Sequence, residues 1–257
     1  MVINLLIVNA DDFGNRQEIN SAILECFQQG VISSTTIMAN EPEFEAACEL
    51  AQCNGFVDRI GIHVNITLGI PLTDEIRAMR TFCNSNGEFA YRHKPYLVFT
   101  KREQNALANE VRAQIERCRQ HGIPLTHADS HHGVHNEMPV FSAIWRVLKE
   151  SGIYCLRGNQ VVDDDRLLRK LYKLRMAACF RQRGFWTPDY TSTLMQFISE
   201  FYPGKQSNVS CELSVHPDYI DGKLIDHVTG QPLVPALRHL LAGMQIEPFS
   251  RNNPSAA

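Results

Sequence analysis

The stretch Asn4-Leu5-Leu6-Ile7-Val8-Asn9-Ala10-Asp11-Asp12-Phe13-Gly14 decides the fold, because an apolar run passes within three residues into two adjacent carboxylates. A short apolar run bounded by polar residues reads as a buried strand. Beyond it, Ile19, Ala22, Ile23, Cys26 and Phe27 recur at helical spacing before Gly30, so the unit is strand, loop, helix. It then repeats. Thr35 to Met38 is a second strand leading to Asn40, and Pro42 opens a helix carrying Phe44, Ala47, Cys48 and Ala51. Ile60 to Ile66 is a third strand; Leu107, Val111, Ile115 and Cys118 mark a helix that ends near Gly122. Thr126 to Ala128 begins another strand, a helix through Val140, Phe141, Ile144, Val147 and Leu148 stops at Gly152, and Tyr154 to Leu156 follows as a buried strand. Val209, Cys211, Leu213 and Val215 alternate as in a last strand.

Strands alternating with helices imply a parallel sheet, either closed as a barrel or open and doubly wound. The polar residues at the strand ends choose between them. Asp11 and Asp12, Asn40, His63 and Asn65, Asp129 and His131, Arg157, and His216 all lie on or just after predicted strands. A barrel brings many carboxyl ends to one place, whereas an open sheet brings together only those near its switch point. The expectation is an α/β fold: a single-domain (β/α) barrel over residues 1–257, distorted or incomplete, with cover segments at about 71–100 and 159–207.

The chain has 257 residues, 44% of them hydrophobic, enough for one substantial core. With 25 basic and 28 acidic residues, its formal charge of −3 offers no field for nucleic acid or an anionic membrane, and a weakly charged small substrate fits better. No apolar run reaches the roughly 18 residues of a membrane span, and the amino terminus lacks a basic leader. Eight scattered cysteines without a Cys-x-x-Cys pair read as reduced thiols of a cytoplasmic protein. In the second cover segment, Arg166, Arg169, Lys170, Lys173, Arg175, Arg181 and Arg183 accompany Leu167, Leu171, Leu174 and Ala178 at helical spacing. That pattern describes a solvated amphipathic helix better than a nucleic-acid patch. Phe180, Phe185, Trp186 and Tyr190 then form an aromatic cluster, which serves either packing or the stacking of a sugar ring.

Three features carry chemistry. The Asp11-Asp12 pair at a strand end either caps the following helix or is compensated by a cation. His63, inside an apolar strand, is either a hydrogen-bonded core histidine or a ligand. Between His127 and His135 lie four of the ten histidines, together with Asp129. Taken together, an aspartate from one strand end and histidines from two others make a facial set that leaves positions open for water and substrate, as catalytic metal sites do.

These motifs resemble those of the YdjC/ChbG family of carbohydrate deacetylases, which is similar in fold and logic to the NodB-type polysaccharide deacetylases. The resemblance runs from Asn9–Gly14 through Ser34-Thr35-Thr36, Gly61-Ile62-His63, Asp129-Ser130-His131-His132 and Leu156-Arg157 to Ser214-Val215-His216-Pro217. It implies one divalent metal ion held by Asp12, His63 and His131, with Asp11 as general base and Arg157 orienting it; a structural ion pair is the other reading of Arg157. His216 is the implied general acid, with His135 as the second candidate. Asn40, Asn65, His135 and Trp186 are the expected substrate contacts. Ligand softness suits zinc, manganese, cobalt or iron; the family is associated with magnesium as well as zinc. The implied substrate is a small acetylated saccharide of the chitobiose type. A homo-oligomer is expected only on the general ground that most soluble oligomers are symmetric assemblies of one chain. Gly133 stands where the family usually has a third histidine, which bears on substrate choice. The competing readings are a non-catalytic, metal-stabilised sugar-binding or regulatory protein and a metal-assisted hydrolase of another bond.

Overall fold

The computed structural model describes residues 3–92, 98–159, 166–200 and 209–249. Strand β1 (Ile3–Phe13) is followed by α1 (Gln17–Gln28), β2 (Ser34–Ile37), α2 (Phe44–Asn54) and β3 (Ile60–Val64). The short α3 (Asp74–Arg77) and the long α4 (Lys101–Gln120) precede β4 (Ala128–Ser130) and α5 (Met138–Glu150). Helix α6 (Leu167–Gln182), β5 (Tyr190–Thr193), α7 (Leu194–Glu200) and β6 (Val209–Val215) complete the repeat, and a hairpin of β7 (Pro217–Ile220) and β8 (Lys223–Asp226) leads to α8 (Leu233–Leu240).

Six strands pair in parallel in the order β4-β3-β2-β1-β6-β5. Beyond β4 the ladder thins: Ala128 bridges to Leu156, and Cys155 bridges to Trp186, four residues before β5 begins. The sheet therefore curls round to an incomplete barrel whose last gap is spanned by single bridges. The expected strand at Tyr154 to Leu156 is reduced to this contact, and Tyr154 is half exposed. Two short stretches meet there, too few residues for a continuous ladder.

Alternation sorts the strand residues between two faces. On β1, Leu6, Val8 and Ala10 join the core beneath the helices, as do Cys211, Leu213 and Val215 of β6. Ile7, Asn9 and Asp11, and on β6 Glu212 and Ser214, face the barrel interior; Ile7 is in register with Glu212, and Asn9 with Ser214. The lower interior is filled from the carboxyl-terminal side. Ile246 pairs with Leu6, and Phe249 packs with Ile7, Cys155 and Trp186, its ring stacked 3.9 Å from that of His127. Gly61 makes room for that imidazole, since a Cβ there would lie 2.6 Å from it.

The first cover segment is tied to α4 by buried polar groups. Glu110 accepts from the Leu72 and Thr73 amides and the Thr73 hydroxyl, at 3.1, 2.9 and 2.8 Å, and Gln114 exchanges hydrogen bonds with the Asn65 backbone. Helix α6 departs from its expected facing: it buries Met176, Cys179 and Phe180 and leaves Leu167, Leu168, Leu171 and Leu174 exposed. Contact of Phe180 with Phe141 of α5, at 4.5 Å, fixes which side faces inward. Seven of the eight cysteines are buried, Cys53 being the exposed one. No described helix is long and apolar enough to cross a membrane.

Candidate functional site

On a regular strand Asp11 and Asp12 would point to opposite faces. The β1–β2 register shifts between Ala10 and Phe13, and Asp12 takes φ 70°, a left-handed conformation that aspartate tolerates better than most residues. This bulge brings both carboxylates to one cavity of about 370 Å³ at the carboxyl ends of the strands.

One oxygen of Asp12 lies between two imidazoles, 3.2 Å from His63 Nε2 and 2.9 Å from His131 Nδ1. That oxygen is buried and in hydrogen-bond geometry with neither nitrogen. A buried carboxylate oxygen this close to two ring nitrogens, and well placed for a hydrogen bond with neither, fits a cation shared by the three residues, whose donor atoms lie within 4.8 Å of one another. On its far side, the His63 Nδ1–H donates to Asp129 Oδ1 at 2.6 Å, leaving Nε2 for the site. A carboxylate behind a ligating histidine is the usual way its ring is oriented. Burial opposes charge on His63, but Asp129 and then Asp12 outweigh it and raise the imidazole to about 10; a cation bound here would displace that proton. At Asp12, likewise, burial acts upward, but the two imidazoles hold the carboxyl well below the usual carboxylate range.

A second trio, Asp11, His63 and Asp129, is equally close, but Arg157 occupies it. The guanidinium forks onto both oxygens of Asp11 at 2.6 Å, reaches Asp129 Oδ2 at 2.9 Å, and donates Nε–H to Glu212 Oε1 at 2.6 Å. Asn9 adds a donor to Asp11 Oδ1 at 2.9 Å. Burial pushes Glu212 up to about 7 despite Arg157 beside it, and its second oxygen has no partner. His216 enters from the other side, with Nε2 3.5 Å from Asp11 Oδ2 and its backbone N–H bonded to Asp226.

Asp11, Asp12, His63, His131, Arg157 and His216 thus line one cavity. Four other sequence candidates do not. His135 is fully buried, its ring nitrogens meeting Ser130 Oγ at 2.6 Å and the Arg157 carbonyl at 3.2 Å, and burial lowers it to about 4. Asn40 and Asn65 bond to each other at 2.9 Å and to Glu41 and the Leu68 carbonyl, so they join the loops after β2 and β3. Trp186 packs beside Ile7, four residues or roughly 13 Å along the strand from Asp11. Glu212, Asn136, Thr191 and His227 were not singled out from the sequence, and His132 and Ser214 appeared there only within motifs, without a role. The alternation of Cys211, Leu213 and Val215 already assigned Glu212, Ser214 and His216 to the opposite face.

The family model of YdjC-like proteins matches residues 5–242. The chain belongs to the YdjC-like family. A carbohydrate deacetylase of Clostridium beijerinckii is 30% identical over 224 residues, spanning 86% of this YdjC-like chain and 84% of that one. A carbohydrate deacetylase of Geobacillus stearothermophilus is 43% identical over 138 residues, a match covering 54% of this chain and about half, 53%, of its own. Among solved structures, an Enterococcus faecalis V583 protein named for cellobiose-phosphate cleavage superposes with a TM-score of 0.72 at 20% identity, covering 99% of this chain and 100% of that one. This likeness shows the same fold.

Proposed function

We propose that this YdjC-like chain is a metal-dependent carbohydrate deacetylase, removing an N-acetyl group from an amino sugar or a small oligosaccharide. The observation that carries the reading is the convergence of Asp12, His63 and His131 on a buried, unsatisfied carboxylate oxygen, with Asp11 and His216 3.5 Å apart beside it. The names of the relatives supply the substrate class.

Asp12, His63 and His131 would hold one divalent ion, zinc or magnesium, with manganese or cobalt also compatible with the donor set. When bound, such an ion supplies Lewis acidity toward the acetyl carbonyl and the attacking water. The chain's own groups do the rest. Asp11, held in one orientation by the two-pronged contact of Arg157, accepts the proton of the water as its oxygen attacks. His216 Nε2 delivers a proton to the sugar nitrogen, without which the amine is a poor leaving group. Asp129 keeps His63 in the tautomer whose Nε2 faces the ligand position and shares Arg157 with Asp11, so base and ligand are set by one network.

Acetate release from N-acetylglucosamine and N,N'-diacetylchitobiose, by protein stripped of metal and reloaded with each candidate ion, tests the proposal. Release is expected to require metal and to fall at least about 100-fold in Asp11→Asn, with metal uptake retained in that variant and lost in Asp12→Asn. Tight sugar binding without acetate release under every metal would replace the hydrolase by a binding protein.

A further inference from the structure

The catalytic groups account for only part of the cavity. The rest of its described lining includes His132, Gly133, Asn136, Gly158 and Thr191 on one side, and His227, whose ring lies 5.2 Å from that of His216. Two polar atoms on this remainder, Asn136 Oδ1 and Thr191 Oγ1, are buried without a hydrogen-bond partner. Nδ2 of Asn159, next to Gly158, is in the same condition. Native chains rarely leave such groups unsatisfied, and where they do, the shortfall calls for a specific cause. None of the three belongs to the metal cluster or to the Arg157 network, and none is accounted for by the hydrolytic machinery.

Two glycines, Gly133 and Gly158, flank these groups on the cavity lining. His132 and Gly133 are both left-handed, with φ 55° and 65°; for histidine this is a strained choice, held here by a 3.0 Å contact between its Nδ1 and Thr67 Oγ1. The turn leaves Gly133 with no side chain where a Cβ would stand 3.6 Å from Asn136 Nδ2. Gly158, two residues after the Leu156 bridge, is more tightly placed: a Cβ there would lie 3.2 Å from Thr191 Oγ1 and 3.3 Å from the Pro188 carbonyl. Gly158 therefore leaves room beside Thr191 Oγ1, while a side chain at Gly133 would meet the Asn136 amide only at ordinary contact distance.

We propose that Asn136 and Thr191 form a hydroxyl-reading subsite for the sugar ring, next to the position where its acetamido group meets the metal cluster. This rests on the deacetylase reading for the identity of the ligand. Asn136 Oδ1 accepts from one ring hydroxyl, and a short rotation of the amide, whose side chain already lines the cavity, turns it to the ligand. Thr191 Oγ1, which both donates and accepts, pairs with a second hydroxyl. A site whose buried polar groups are satisfied only by the ligand discriminates most strongly against ligands lacking the matching hydroxyl.

The test is selectivity rather than rate. Calorimetric affinities of metal-loaded wild-type protein, Asn136→Leu and Thr191→Val are measured for N-acetylglucosamine and for each of its singly deoxygenated analogues, with acetate release followed in the same samples. Wild-type protein is expected to bind at least one analogue about tenfold more weakly than the parent sugar, and that ratio is expected to fall to near one in the variant that lost the matching partner. A variant that weakens parent and analogues equally, keeping every ratio, overturns the subsite, because a merely structural loss does not distinguish hydroxyls. Wild-type protein that binds all the sugars alike, or none, overturns it as well. Sugar selectivity without acetate release would leave the subsite standing and remove the hydrolase reading.

Discussion

Arg157 meets three buried carboxylates with a single guanidinium, and the division of its donors holds Asp11 in the one orientation that the proposed base role requires. Its planar fork has five N–H groups, whereas an ammonium is a point charge that cannot serve Asp11 bidentately and still reach Glu212. Arg157→Lys is therefore expected to act twice. Leaving buried carboxylates without their partner costs roughly 3–5 kcal/mol of stability, read as a lower urea midpoint. Loss of the two-pronged hold on Asp11 lowers kcat for acetate release by at least about tenfold, with the metal still bound at Asp12, His63 and His131. A variant of unchanged kcat would show that Asp11 keeps its orientation through Asn9 alone. Histidines at neighbouring positions divide just as sharply. His131 reaches Asp12 at 2.9 Å, while His135, four residues on, is turned into the core by Ser130.

At the scale of the elements, the loops after β2 and β3 are locked together. Glu41 Oε1 accepts from Asn40 and Asn65, and Gly69, at φ 72°, lies against it, so that a Cβ would sit 2.3 Å from that oxygen. Gly55 ends α2 at nearly the same φ, 71°, but with open space around it. The pair separates backbone strain from collision. Gly55→Ala is expected to cost about 1 kcal/mol, the left-handed penalty alone, whereas Gly69→Ala adds a steric cost of roughly 1–3 kcal/mol; urea denaturation of the two variants measures the difference. The elements also mark what could be read from the sequence. Strand and helix periods exposed β1, α1, α2, α4 and α5, and the alternation in β6 set the inner face, because each follows from local burial. The thinning of the expected Tyr154–Leu156 strand to single bridges and the outward leucines of α6 were not legible, since both depend on which distant surface an element meets. Asn40, Asn65 and Trp186 sat at strand ends or in an aromatic run as substrate contacts do; only the loop network and the plug around Phe249 show where they go.

Across the whole molecule, the barrel interior is divided between an apolar plug, a layer of neutral polar groups and the charged site above. His127, bonded to Asn9 above the Phe249 plug, belongs to the middle part, and His135 is buried behind the site with its ring 6.2 Å from that of Phe180. Burial lowers them from an ordinary 6.5 to about 3 and about 4. Both are neutral in the native protein at pH 5, where the unfolded chain has already taken up their protons. The folded pKa is depressed, so the unfolded state binds more protons over this window and stability falls as pH drops below 6.5; for His135 the loss is complete near pH 4, and for His127 near pH 3. Each histidine contributes a slope of about 1.4 kcal/mol per pH unit. Replacing His135 by glutamine, which does not titrate, removes one of these contributions. Whatever the variant loses at pH 7, its stability is expected to decline less steeply than that of the wild type between pH 6.5 and 4.5, as measured by urea denaturation at fixed ionic strength without added metal. Parallel declines would mean that His135 is protonated in the folded protein, and hence that the Ser130 and Arg157 contacts hold an imidazolium rather than a neutral ring.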